Sequence, residues 1–269
     1  MAEVATTRGD GDVVLETQRL VKRFGGIIAT HEVSLKVQRG ARHALIGPNG
    51  AGKTTLINQL TGVLAPTSGR VLLGGRDITA LAPHKRVALG LVRTFQINQL
   101  FATLTPRQSL ALAVASRRDA ARRWWQPLGH DSAIADEAAV LLSRFRLADH
   151  ADQATRELPY GKRRLLEIGL ALALQPQVLL LDEPAAGVPA AERQDILDTV
   201  AALPAEVSVV LIEHDMDLVF SFARRMTVLV NGSVLTEGAP EAIAADPEVR
   251  AVYLGETAPA TMEARRDGQ

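Results

Sequence analysis

The sequence predicts one α/β domain: a mainly parallel sheet, an antiparallel β part near its N-terminal end, and a helical insertion in the middle. Three observations carry this expectation. Short β-rich runs alternate with helical patterns at both ends of the chain. Val178-Leu179-Leu180-Leu181 is a continuous apolar run, as a strand buried on both faces should be. Residues 106–174 are rich in Ala, Leu and Arg at helical spacing, with almost no β-branched runs.

Taken in order, residues 13–21, 32–37 and 43–46 read as strands. Residues 53–62 form a helical pattern that Gly62 ends, since glycine readily adopts the left-handed conformation that closes helices. Gly74-Gly75 in the middle of 70–78 marks a tight hairpin. Residues 91–95 give a further strand, and the helical middle follows. Beyond it come strand 178–181 and a helix over 189–203 with Ile196, Leu197, Val200 and Leu203 on one face. Strands 207–212 and 226–230 and a short helix over 239–245 complete the pattern, with no internal repeat. The ordered domain is expected over 13–255, with the helical subdomain at about 97–170. Residues 1–12 and 256–269 lack a periodic apolar face and read as loose tails.

Composition narrows the function classes. The 269 residues carry 30 Lys+Arg and 30 Asp+Glu, a formal charge of zero, which speaks against a nucleic-acid binder acting through bulk positive charge. With 47% apolar residues, a sizeable core is available. Zero cysteines remove disulfides, thiolate metal sites and cysteine nucleophiles. The best uncharged apolar stretch, 168–181, is too short to span a bilayer and is broken by Pro176. The first twelve residues lack the apolar core of a signal peptide. The expectation is a cytoplasmic chain that reaches a membrane only through a partner.

The most informative segment is Gly47-Pro48-Asn49-Gly50-Ala51-Gly52-Lys53-Thr54, lying between an apolar strand and a helix. Glycines such as Gly50 and Gly52 let the backbone curl so that its N–H groups, including that of Asn49, wrap a polyphosphate. The helix that follows aims its positive end at the same place. Lys53 is expected to reach the β and γ phosphates, Thr54 to ligate Mg²⁺ and Thr55 to contact the α phosphate. The second segment is Val178-Leu179-Leu180-Leu181-Asp182-Glu183-Pro184. Two acids ending a buried strand call for a reason, because buried charge is costly unless it is paired or binds metal. Asp182 is expected to hold Mg²⁺ through water, and Glu183 to polarise an attacking water as general base.

With these two segments in place, the sequence resembles the ATP-binding cassette (ABC) ATPases, the nucleotide-binding subunits of transporters. The resemblance covers roughly residues 13–255 and implies a P-loop NTPase (RecA-like) core. It assigns Gln96 as the residue sensing the γ phosphate and Mg²⁺, and His214 as the switch histidine contacting the γ phosphate. It assigns Phe24 as the aromatic stacking on adenine, although Phe24 taken alone fits a core position equally well. Leu158-Pro159-Tyr160-Gly161-Lys162 stands where the family signature lies, with Gly161 able to donate its N–H to a nucleotide held by the other subunit. Two departures stand out. Pro159 replaces the signature serine, and Pro189 replaces the acid of the loop after Pro184.

The signature run, the stretch Asp182-Glu183-Pro184-Ala185-Ala186-Gly187, Arg23-Phe24-Gly25-Gly26 and Tyr253-Leu254-Gly255 together resemble the ATPases of branched-chain amino acid importers and their urea and amide relatives. The resemblance implies ATP and Mg²⁺, a second ATPase subunit (the same chain or a similar one), transmembrane permease subunits and an extracytoplasmic solute-binding protein. It places the chain on the inner face of the cell membrane through the permeases. An exporter ATPase, for example for lipid, and a soluble ABC ATPase outside transport are the alternatives. Arg117, Arg118, Arg122 and Arg123 beside Trp124-Trp125 read as a solvated insertion or, alternatively, as a basic aromatic segment near the membrane or the permease.

Overall fold

The computed structural model describes residues 12–94, 100–118 and 131–254. An antiparallel sheet opens the chain, formed by β1 (Val13–Phe24), β2 (Ile27–Gln38), β4 (Ser68–Leu73) and β5 (Arg76–Asp77) in the order β2-β1-β4-β5. The β4–β5 turn is Gly74-Gly75, with φ of 54° and 77°, the left-handed pair a two-residue hairpin demands.

A second sheet has the order β10-β9-β3-β8-β7-β6. Its members are β3 (Arg42–Ile46), β6 (Leu91–Arg93), β7 (Val178–Asp182), β8 (Ser208–Ile212), β9 (Arg225–Val230) and β10 (Ser233–Gly238). All pair in parallel except β10, which runs antiparallel to β9 along the edge. The apolar run of β7 is explained by its two faces. Val178 and Leu180 pack towards the antiparallel sheet and α1 (Lys53–Thr61), while Leu179 and Leu181 pack towards the helical side. All four are fully buried, a contribution of about 1.5–3 kcal/mol for each side chain.

Between β6 and β7 the chain forms α3 (Pro106–Arg117), α4 (Ser132–Arg144) and α5 (Tyr160–Ala173). Thr105 and Gln108 make a reciprocal capping box at the start of α3, with Pro106 in its first turn. Beyond β7 lie α6 (Ala190–Ala201), α7 (Met216–Phe222), α8 (Pro240–Ala245) and α9 (Pro247–Leu254). Ile196, Val200 and Leu203 are buried and Leu197 half-buried, so the 189–203 face packs as expected.

The strand expected at 91–95 is assigned only over Leu91–Arg93; Phe95 lies outside the described residues, as do Gln96 and Trp124-Trp125. Four elements were not anticipated: α2 (Pro83–Ala88), α7, β10 and α9. α2 carries Arg86, whose guanidinium donates to the carbonyls of Gln59, Leu60, Thr79 and Leu81 and so closes the open C-terminal end of α1.

His43 sits inside β3, 1% exposed, with Nε2 2.8 Å from Thr227 Oγ1. Burial depresses its pKa from 6.5 to about 4, with Glu237 opposing the shift and Arg225 adding to it. Between pH 4 and pH 6.5 the unfolded chain therefore binds the extra proton. The contribution of His43 is complete above pH 6.5 and is lost as pH falls towards 4, by about 3 kcal/mol. His43→Gln is expected to remove this part of the acid sensitivity. Urea midpoints of the two proteins at pH 7.5 and pH 5 check it, and an unchanged pH dependence in the variant would refute the assignment.

Candidate functional site

Parallel pairing brings the chemistry to one edge of the sheet. Leu45 of β3 and Asp182 of β7 both register with Ile212 of β8, so all three strands end at one level. The residues just beyond, at 47–54, 183–187 and 213–215, therefore emerge together, where open α/β sheets bind their ligands.

The loop after β3 owes its shape to close packing. Gly47 (φ 154°) and Gly52 (φ 99°) have no room for a side chain: a Cβ would lie 2.2 Å from the Leu229 carbonyl oxygen and 2.4 Å from that of Ala29. Asn49 and Gly50 are exposed at the crest of the loop. Lys53 opens α1, and its ammonium donates back to the carbonyls of Gly47 and Pro48, at 2.5 and 3.0 Å. Burial lowers its pKa, opposed by the charges of Glu183 and then Asp182. The lysine of the loop and the two acids, more than a hundred residues apart in sequence, thus act on one another. Thr54 is exposed beside Lys53, and Thr55 is half-buried.

Asp182 ends β7, and its carboxylate accepts from the guanidinium of Arg93. Glu183 follows with φ of 46°, a left-handed backbone uncommon for a non-glycine residue. Its N–H is held by the Ile212 carbonyl at 2.9 Å, and its side chain is 46% exposed. His214 Nδ1 lies 3.5 Å from Glu183 Oε1. The structure thus groups Lys53, Asp182, Glu183 and His214. Phe24 closes β1 half exposed, with Lys22 Nζ 5.2 Å from its ring centroid, so it is not a core residue.

Gly161 differs from expectation. Its N–H donates to Glu192 Oε2 at 2.7 Å, so a carboxylate of α6 already occupies the N-terminal end of α5. The Tyr160 hydroxyl donates to the Ala186 carbonyl at 3.2 Å, tying the signature segment to the turn after Glu183.

Three residues escaped sequence reasoning: Arg93, Glu192 and Glu213. Glu213 is 2% exposed and accepts from the backbone N–H groups of Ala185, His214 and Asp215, at 3.3, 3.1 and 3.5 Å. Burial raises its pKa against those hydrogen bonds. One buried carboxylate therefore joins the turn after Glu183 to the loop bearing His214. The available signal was a fully apolar strand running straight into an acid.

The oxygen donors of Thr54 and Asp182 suit Mg²⁺, which is commonly held by one or two protein oxygens together with substrate phosphates. The neighbouring charges of Lys53, Asp182 and Glu183 fit the same composite site.

A glycine-shaped loop heading a helix, with an acid pair at the end of a parallel strand nearby, defines a P-loop nucleotide-binding protein. A family model described as ABC transporter matches residues 30–186, and one described as branched-chain amino acid ATP-binding cassette transporter matches residues 233–259. The chain belongs to the ABC transporter family and is an ATPase of that family. It is 40% identical to the high-affinity branched-chain amino acid transport ATP-binding protein BraF of Pseudomonas aeruginosa, over 90% of this chain and 98% of that one. It is 38% identical to the corresponding protein LivG of Salmonella typhimurium, at the same coverage. Among solved structures, an ATP-binding cassette of an ABC transporter in its ADP conformation superposes with a TM-score of 0.78 at 33% identity, covering 91% of this chain and 99% of that one. Among the described residues, no helix is long and apolar enough to cross a membrane.

Proposed function

We propose that this chain powers import of branched-chain amino acids or a related small polar solute such as urea or an amide, working with a second ATPase subunit, permease subunits and a solute-binding protein. The observation that carries the site is the strand register, with Leu45 and Asp182 both level with Ile212, which brings the 47–54 loop and the acids Asp182 and Glu183 to one edge of the sheet. The solute class is supported by the names of the relatives, which this chain matches over nearly their full length.

Lys53 and the N–H groups of the loop hold the triphosphate, and Thr54, with Asp182 through water, would hold the metal. A magnesium ion at that place would supply neutralisation of the charge on the phosphate oxygens. Glu183 accepts the proton of the attacking water, and His214, 3.5 Å away, orients that carboxylate and contacts the γ phosphate. By the family resemblance, Gln96 would sense the γ phosphate and the metal, and Phe24 would stack on adenine. The test is reconstitution in proteoliposomes with candidate permease subunits and a candidate solute-binding protein of the branched-chain amino acid class. Leucine is expected to stimulate ATP hydrolysis several-fold and to accumulate inside. A complex indifferent to leucine, isoleucine, valine, urea and amides would overturn the solute assignment, and failure to assemble with any permease would overturn the transport role.

A further inference from the structure

Arg93 ends β6, one residue before Thr94 and three before Gln96. Its guanidinium makes two directed contacts. Nη2 donates to Asp182 Oδ2, and Nη1 donates to Asn58 Oδ1 at 2.8 Å. Asn58 lies on α1 four residues beyond Thr54, hence one turn along on the same face. Both partners of the Arg93–Asp182 pair are only 17% exposed, so solvent screens the pair weakly. The strand end is tied a second time by the Asp182 N–H donating to Thr94 Oγ1 at 3.3 Å. One side chain thus links the phosphate-binding helix, the acid that ends β7 and the strand leading to Gln96.

A guanidinium is permanently charged and presents a fork of donors, which suits it to fix a carboxylate rather than merely to neutralise it. Here it takes one oxygen of Asp182 and leaves Oδ1 for other partners. We propose that Arg93 is a positioning residue for Asp182 and the resident countercharge of the site, setting how affinity is divided between the bare nucleotide and the metal. The sign follows from charge alone. A fixed cation beside the acids favours an incoming polyphosphate and disfavours a divalent cation. Removing it leaves Asp182 and Glu183 facing Lys53 alone, which weakens binding of the anion and strengthens binding of the metal. A merely structural arginine would weaken both when replaced.

The inference rests on the site taking Mg-nucleotide, and the test separates the two. Equilibrium binding of ADP to the full chain is measured in EDTA and then across a MgCl₂ titration, for wild type, Arg93→Met and Arg93→Lys. In EDTA the Met variant is expected to bind ADP about tenfold more weakly, the scale of one unit charge acting over roughly 10 Å at an effective dielectric constant near 20. It should reach half of its metal-induced tightening at several-fold lower Mg²⁺. The Lys variant should recover ADP affinity in EDTA to within about threefold. Adding Asp182→Asn should abolish the metal shift caused by Arg93→Met. Loss of both affinities together, no change in either, or a metal shift that persists with Asp182→Asn would each overturn the role. Should the Met variant fail to fold, Arg93→Gln keeps a donor without the charge and carries the same two opposite expectations. Wild-type protein that does not bind ADP even with Mg²⁺ would instead sink the reading of the site itself.

Discussion

Glu183→Gln is expected to lower ATP turnover by about a hundredfold to ten-thousandfold, the range a positioned general base supplies, while ATP affinity stays within about threefold. The substitution is close to isosteric and removes the negative charge of the carboxylate together with its ability to take a proton. Glu183 is held at φ 46° with its N–H on the Ile212 carbonyl, so its backbone is set by β8 and not by its own side-chain charge. The amide can therefore take the same place, beside His214 Nδ1 at 3.5 Å. Single-turnover hydrolysis with saturating ATP, paired with equilibrium nucleotide binding, separates chemistry from binding. A variant that turns over at the wild-type rate would remove Glu183 from the role of base. Equal loss of binding and turnover would instead mark it as a residue that holds the loop.

Lys53→Ala acts one step earlier, and the expected result is loss of both binding and hydrolysis. Charge-assisted hydrogen bonds contribute about 1.5–3 kcal/mol each, so ATP affinity should fall about tenfold to a hundredfold or more. The ammonium is already folded back onto the Gly47 and Pro48 carbonyls, so little reorganisation is needed when a triphosphate replaces them. Its pKa is lowered by burial, but the nearby charges of Glu183 and Asp182 oppose that shift and favour the charged form. Isothermal titration with ATP and with ADP checks the result. Undiminished ATP affinity in a folded Lys53→Ala protein would dismantle the phosphate site.

The legible parts of this fold were those whose cause is local. The apolar run 178–181, the stop at Gly62 and the turn at Gly74-Gly75 each declare themselves within a few residues, and each forms. β10 did not, because its six positions are all half-buried along a sheet edge and carry no alternating signal. α2 and α7 are six and seven residues long, below the length at which a helical period becomes distinct. The same division runs through the site. Lys53, Asp182 and Glu183 stand in motifs whose chemistry can be read in place. Arg93 meets Asp182 across 89 positions and Glu192 meets Gly161 across 31, pairings that only the folded sheet and packed helices create. Glu213 was readable in principle, since an acid ending the apolar strand Ser208–Ile212 must find donors, but which donors depends on where residue 185 folds.

The loop that carries Lys53 is wedged between two layers of the molecule. Gly47 abuts the backbone of β9 in one sheet, and Gly52 abuts the backbone of β2 in the other. Gly232, just past β9, reaches both sides, donating to the Ala51 carbonyl and accepting from the His31 N–H. The cradle for the anion is thus also the keystone of the arch, and its curvature registers any slip of one layer against the other. A methyl group added at position 47 or 52 strikes carbonyl oxygens that cannot swing aside, so such a lesion spoils the assembly of the whole domain before it spoils the grip on a nucleotide.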